Sequence, residues 1–358
     1  MTHIWQGLRQ SLWQSLSEGV RSGDWLTPAR GRAYSLILLV ACGLAMAGWI
    51  AAADHLVDRN GKPIGTDFSS FYAAGALALQ GRAAEAYAPA AQHAREQQMF
   101  GANTPYYSWL YPPVFFFVAA PLALLPYPLA LAVWQATTLA LYLLVIATIL
   151  RTARRRQSII ADNWLLVAAA FPAVFVNLGH GQNGFLTAGL LGAALLALPE
   201  RPVLGGVLLG LLCYKPQFAL LFPVALLAAG QWRAIAAATL TVVALAAASY
   251  VAFGADVWSA FIASTELSRK LLLEQGSVGY EKLQSVFAAV RLWGGGTSAA
   301  YTAQGVVSSL VICCTAWAWH TSDQRELNAA LLVTATTLAS PHLLDYDLLL
   351  LAPALAFF

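Results

Sequence analysis

Charge is scarce in this chain. Asp, Glu, Lys and Arg together make up 10% of its 358 residues. A soluble globular domain carries roughly a quarter charged residues, so that class is excluded. The net charge of +3 is small. The Arg residues fall in short loops rather than on one basic face, which argues against a nucleic-acid partner. Cysteine is also rare. Cys42, Cys213, Cys313 and Cys314 all lie in apolar stretches. No spacing suits zinc or a disulfide framework; no cofactor is expected, and metal dependence is left open. No internal repeat is visible. No cleavable leader is expected, because the residues before the first apolar run are mostly polar.

What the sequence has instead is apolar length. Hydrophobic residues make up 59% of the chain, and its mean hydropathy is +0.63. That composition predicts an all-α fold, a polytopic transmembrane helical bundle, rather than several soluble domains. In the segment 1–33, Ile4, Trp5, Leu8, Leu12, Trp13 and Leu16 recur at helical spacing and read as a cytoplasmic interfacial helix. The transmembrane domain is placed at 34–358. Its first span, 34–53, covers about 30 Å, the hydrocarbon thickness. Further spans are expected near 129–150, 163–178, 185–198, 203–214, 217–229, 233–253, 299–319, 327–341 and 347–358. The last reaches Phe358 with no polar tail, which leaves truncation open.

Two outer segments interrupt the spans, 54–128 and 254–298. Within the first, "PVFFFVAAPLALLP" at 113–126 is short and bounded by proline, so it reads as a juxtamembrane helix that does not cross. Charge leads to the same topology. Arg30 and Arg32 precede the first span, and Arg151, Arg154, Arg155 and Arg156 follow the second. Both groups read as cytoplasmic, which requires 113–126 to stay on one side.

That sidedness sorts the chemistry. The inner loops hold mainly Arg and helix punctuation. "GTDFSSFY", "SWLYPP", "GHGQNG", "YKPQ" and "SPHLLDYD" all fall on the outer side. Polar groups at membrane depth are costly, so their gathering suggests a site. Each has a plainer reading. Asp67 is a helix N-cap or a general base, and the two roles can coexist. Lys215 snorkels or neutralises a phosphate. His180, Gln182 and Asn183 form a glycine-punctuated turn or hydrogen-bond a sugar or phosphate oxygen. His342, Asp345, Tyr346 and Asp347 start a helix or wall a site. Gln217 follows Lys215 in the same outer turn. The 254–298 segment is an interfacial helix pair, or a lid or lipid-contact surface.

The ordered set "GTDFSSFYAAGALALQG", "YPPVFFFVAAPLALLPYPLALAVW", "GQNGF", "GLLCYKPQFALLFPVALL" and "SPHLLDYDLLLLAPAL" resembles glycosyltransferase family 87. The family includes mannosyltransferases of actinobacterial phosphatidylinositol mannosides. The resemblance implies a GT-C-type bundle with outer juxtamembrane helices. It also implies a polyprenyl-phosphate sugar donor and transfer outside the cytoplasmic membrane. The acceptor would be a lipid or glycan hydroxyl, with membrane lipids around the protein. An acidic base in the first outer loop maps onto Asp67, and a late outer histidine onto His342. Two departures stand out. "GRAAEAYAP" at 81–89 replaces a "GxDPYD"-like tail, and the resemblance leads one to expect further spans after 347–358.

The residue types fit such chemistry. Asp67 is placed to take a proton from the attacking hydroxyl. Lys215 or His180 would stabilise the departing phosphate, and Gln182, Asn183, Gln217, His342, Asp345 and Tyr346 would line the sugar or acceptor site. In-line displacement inverts the anomeric centre. A nucleotide-sugar enzyme would need a cytoplasmic site, usually with a metal-binding acidic pair, which the inner loops lack. The rival readings are a secondary transporter, with polar groups along a full path, and a non-catalytic lipid-binding membrane protein.

Overall fold

A computed structural model describes residues 27–154 and 163–358. The expected interfacial helix at the N-terminus and the basic residues Arg155 and Arg156 lie outside the described residues.

Every regular element among the described residues is helical. The only β-type pairings there are three isolated bridges. Four helices are long and apolar enough to cross a membrane: Pro28–Ala51, Tyr127–Thr152, Trp232–Phe253 and Thr297–Thr321. The remaining expected spans are shorter. Gly184–Ala197 has 14 residues, a rise of roughly 21 Å. The expected span at 163–178 is two helices, Trp164–Ala169 and Pro172–His180. Pro172 has no N–H to continue the first helix and opens the second. The expected span at 347–358 likewise divides into a tight turn, Asp345–Leu350, and a short helix, Leu351–Phe357.

The segment read as non-crossing is a 3₁₀ turn, Pro113–Phe115, continued by a short helix, Phe116–Leu122, with Pro121 inside it. It packs on the helix Thr66–Leu79, which carries Asp67. Contact is close because Gly75 has no side chain: a Cβ there would lie 2.2 Å from the Ala119 carbonyl oxygen. Beneath Asp67, Phe71 meets Trp109, Tyr111, Phe115 and Trp134 edge-on, with centroids 5.1–6.2 Å apart. Such T-shaped contacts favour one arrangement of the rings, which stiffens the floor of the region.

The helix Tyr127–Thr152 runs between the two ends of the bundle. Near its start, the Tyr127 hydroxyl donates to the Ile64 carbonyl at 2.7 Å and the Trp134 indole to that of Gly181 at 3.0 Å. Its other end, Ile149 and Thr152, lines a cavity of about 710 Å³ with Glu200, Gln231, His320 and Arg325. The loops read as inner thus share that end. Between the two ends Tyr142, Phe185 and Leu191 are wholly buried. Apolar packing of this kind separates the polar clusters.

Candidate active site

Asp67 is the second residue of its helix. The N-cap position belongs to Gly65, held in the left-handed region at φ 73°. The carboxylate is therefore not the cap that its sequence position suggested. Its Oδ2 accepts from Gln182 Nε2 at 3.0 Å, and its Oδ1 lies 3.8 Å from His180 Nδ1. Both side chains of the Asp67–His180 pair are 28% exposed. A ligand can thus reach them while the surrounding polar groups stay fixed.

The partners come from the turn between Pro172–His180 and Gly184–Ala197. Gly181 makes this turn possible, with φ 67° and room for no Cβ: one placed there would lie 2.6 Å from that of Phe68. The Thr66 hydroxyl shares a 2.7 Å hydrogen bond with His180 Nδ1. That fixes the ring and leaves Nε2 without a protein hydrogen-bond partner among the described residues. Gln182 is positioned from the far side, where its Oε1 accepts from the Tyr111 hydroxyl at 3.1 Å and from the Asn183 amide at 3.0 Å. Carbonyl orientation thereby aims the Gln182 amide group at Asp67. Asn183 is wholly buried beside Tyr111, and its side-chain atoms have no hydrogen-bond partner of good geometry among the described residues. A buried carboxamide without partners is costly.

A second charged pair lies next to the first. Lys215 Nζ donates to Asp347 Oδ1 at 2.5 Å, with side chains 3% and 1% exposed. The ammonium also lies 5.1 Å from the Tyr346 ring centroid, and that ring stands 6.5 Å from the His180 ring. Lys215 is therefore neither a snorkelling surface anchor nor an open positive charge. A cation this deep needs a counter-ion, and Asp347 is that counter-ion.

The remaining expected residues are less closely joined. Asp345 Oδ1 accepts from the Tyr346 amide at 2.9 Å, so it serves the local turn. The His342 amide donates to Ser340 Oγ at 3.2 Å, and its ring makes no hydrogen bond among the described residues. Burial holds that imidazole below the ordinary histidine range. Gln217 lies on the turn Pro216–Phe218, and its side chain makes no hydrogen bond there either. The segment 254–298 reaches this wall, since the Gln284 amide donates to the Leu343 carbonyl at 2.8 Å. Among the described residues no group of three His, Cys, Asp or Glu is placed to hold a metal ion.

Residue typing missed Thr66 and Tyr111. Tyr111 sits in "YPP", beside two prolines whose plain reading is a helix entrance. Its role depends on a partner 71 positions away, which no local pattern discloses.

Fold and cluster define a class: a helical membrane protein with a partly open carboxylate–imidazole–amide site at one end. The model of the family "Glycosyltransferase family 87" matches residues 109–341. The chain belongs to that family and is a membrane glycosyltransferase. No curated protein and no solved structure matches it. The matched span contains His180, Gln182 and Lys215. Asp67 lies before it, and His342 and Asp347 lie after it.

Proposed function

We propose that the chain moves a hexose, mannose on the family resemblance, from a polyprenyl-phosphate donor to a lipid or glycan hydroxyl on the outer side of the cytoplasmic membrane. The observation that carries this reading is the setting of Asp67: partly open, and bonded to Gln182 while facing His180.

The step is an in-line displacement. The acceptor oxygen attacks the anomeric carbon, and Asp67 takes its proton. The bond from that carbon to the phosphate oxygen breaks, and its electron pair leaves with the phosphate. The anomeric centre inverts. His180 Nε2 is the group available to the phosphate. Lys215 reaches a phosphate only by giving up Asp347, so we assign it to the wall behind Tyr346 first. Asn183, Gln217, His342 and Asp345 remain candidates for sugar and acceptor contacts. Depth fits a lipid-borne donor as well. The 14-residue helix that begins at Gly184 is about 9 Å shorter than the hydrocarbon core. A reactive centre at its end is sunk toward the level where a polyprenyl phosphate enters.

The test is transfer itself. Membranes containing the protein and supplied with polyprenyl-phosphate mannose should yield a mannosylated lipid with inverted anomeric configuration. Retained configuration, or equal transfer after Asp67→Asn, would overturn the mechanism.

A further inference from the structure

The mechanism makes no use of Glu96, a fully buried acid. The helix Pro89–Phe100 is largely polar, yet it buries Gln92, Glu96 and Phe100 along one face. Gln92 and Glu96 are both 0% exposed. Glutamate is almost never fully buried unless paired, and an aliphatic residue would pack that face more cheaply. Glu96 Oε2 accepts from the Tyr107 amide at 3.0 Å. Gln92 Nε2 donates to the Ser70 carbonyl at 3.1 Å and lies 3.5 Å from Glu96 Oε1. Ser70 is on the Asp67 helix, and its hydroxyl donates to the Asp67 carbonyl at 2.9 Å. A few residues after Tyr107, Tyr111 is held by Gln182, which itself holds Asp67. The stretch 107–111 is therefore tied at both ends to the groups that carry Asp67.

We propose that Glu96 is a positioning residue for the acceptor side of the site, fixing residues 107–111 against the Asp67 helix through Tyr107 and Gln92. This rests on the reading of Asp67 as the base. The stretch, with Tyr106 before it, is a preset aromatic wall beside that carboxylate. A wall fixed before binding lowers the ordering cost of the acceptor and not the barrier of the chemical step.

Burial pushes the Glu96 carboxyl up to about 8, against the opposing pull of the Tyr107 amide and Gln92. The groups facing it are Tyr106 and Tyr107 from the loop and Tyr127 from its span, with Asp67 and Asp58 beyond Tyr107. His93, one turn earlier on the same helix, bonds the Thr104 carbonyl and faces Tyr106. The native state holds a proton on Glu96 that the unfolded chain loses above the ordinary carboxylate range. The neutral form's advantage is therefore present at low pH and is lost as pH rises through about 8.

The experiment compares Glu96→Leu and Glu96→Gln in the full chain, with polyprenyl-phosphate mannose as donor and octyl mannoside as acceptor. Glu96→Leu should raise the acceptor KM by about 10-fold, leaving kcat and donor KM within about twofold. Glu96→Gln, which keeps an acceptor for the Tyr107 amide, should restore the acceptor KM. It should also abolish the wild-type rise in that KM above pH 8. A nitroxide at Ser108→Cys, in a background without the four native cysteines, should gain mobility in Glu96→Leu and not in Glu96→Gln. An unchanged acceptor KM in Glu96→Leu overturns the proposal, as does an immobile label if the probes support no transfer. Should Glu96→Leu fail to accumulate, an unaltered pH dependence in Glu96→Gln overturns it. Transfer retained by Asp67→Asn alongside a raised acceptor KM in Glu96→Leu would remove the base and leave this assignment standing.

Discussion

Two acid–base pairs stand side by side at one end of the bundle, and they are built differently. Asp67 and His180 are 3.8 Å apart, and each side chain is 28% exposed. Lys215 and Asp347 are 2.5 Å apart and almost wholly buried. The exposed pair does not saturate its own atoms. One Asp67 oxygen takes Gln182, the other only faces the imidazole, and His180 keeps Nε2 available. The buried pair is closed: the lysine has its counter-ion, and Asp347 also takes the Leu344 amide at 3.3 Å. Reactivity needs unfinished valence at a reachable surface, whereas a buried ion pair is tolerable only when complete. By that criterion we assign the chemistry to the first pair and the wall carrying Tyr346 to the second.

The comparison breaks most sharply at the two aspartates. Asp67→Asn should reduce sugar transfer by about 10²–10⁴-fold, the range for loss of a general base. Its folded yield and thermal midpoint should stay at wild-type values, because an amide can still accept from Gln182. Asp347→Asn should do the reverse, leaving an uncompensated lysine and costing about 3–5 kcal/mol of stability. Thermal unfolding in detergent beside a transfer assay checks both. A folded, stable but inactive Asp347→Asn would move that pair into the catalytic machinery.

The next test sharpens the buried pair alone. Lys215→Met should cost about 3–5 kcal/mol, since Asp347 is then a lone buried charge. Adding Asp347→Leu should recover most of that loss, because two apolar side chains need no partner. Thermal unfolding of the two single variants and the double variant closes the cycle. If Lys215 instead binds the donor phosphate, the recovered double variant should remain unable to retain a polyprenyl phosphate, measured by co-purification.

The two pairs also differ in how far the sequence disclosed them. Asp67, His180 and Gln182 were legible as chemistry-bearing residues of one group of loops, because apolar length and arginine placement sort the loops. The partnership of Lys215 with Asp347 was not legible, since it spans 132 positions and a lone lysine at a helix end has a cheaper explanation. The helix inventory shows the same limit. Composition marked 163–178 and 347–358 as spans, but Pro172 and the tight turn at Asp345 divide them. Hydropathy registers where apolar residues are, not where the backbone hydrogen-bond ladder stops.

The smallest effect expected lies within the open pair. Thr66 holds His180 Nδ1 through a single 2.7 Å hydrogen bond. Thr66→Val removes that bond with little change in shape, and Thr66→Ser restores the hydroxyl. One such bond contributes about 1 kcal/mol, so transfer should fall by about fivefold in Thr66→Val and recover in Thr66→Ser. The loss should appear in donor KM or kcat rather than acceptor KM, because the imidazole faces the departing phosphate in this reading. A change confined to acceptor KM would put His180 on the other side of the reacting carbon, and the Asp67–His180 pair would then serve the nucleophile alone.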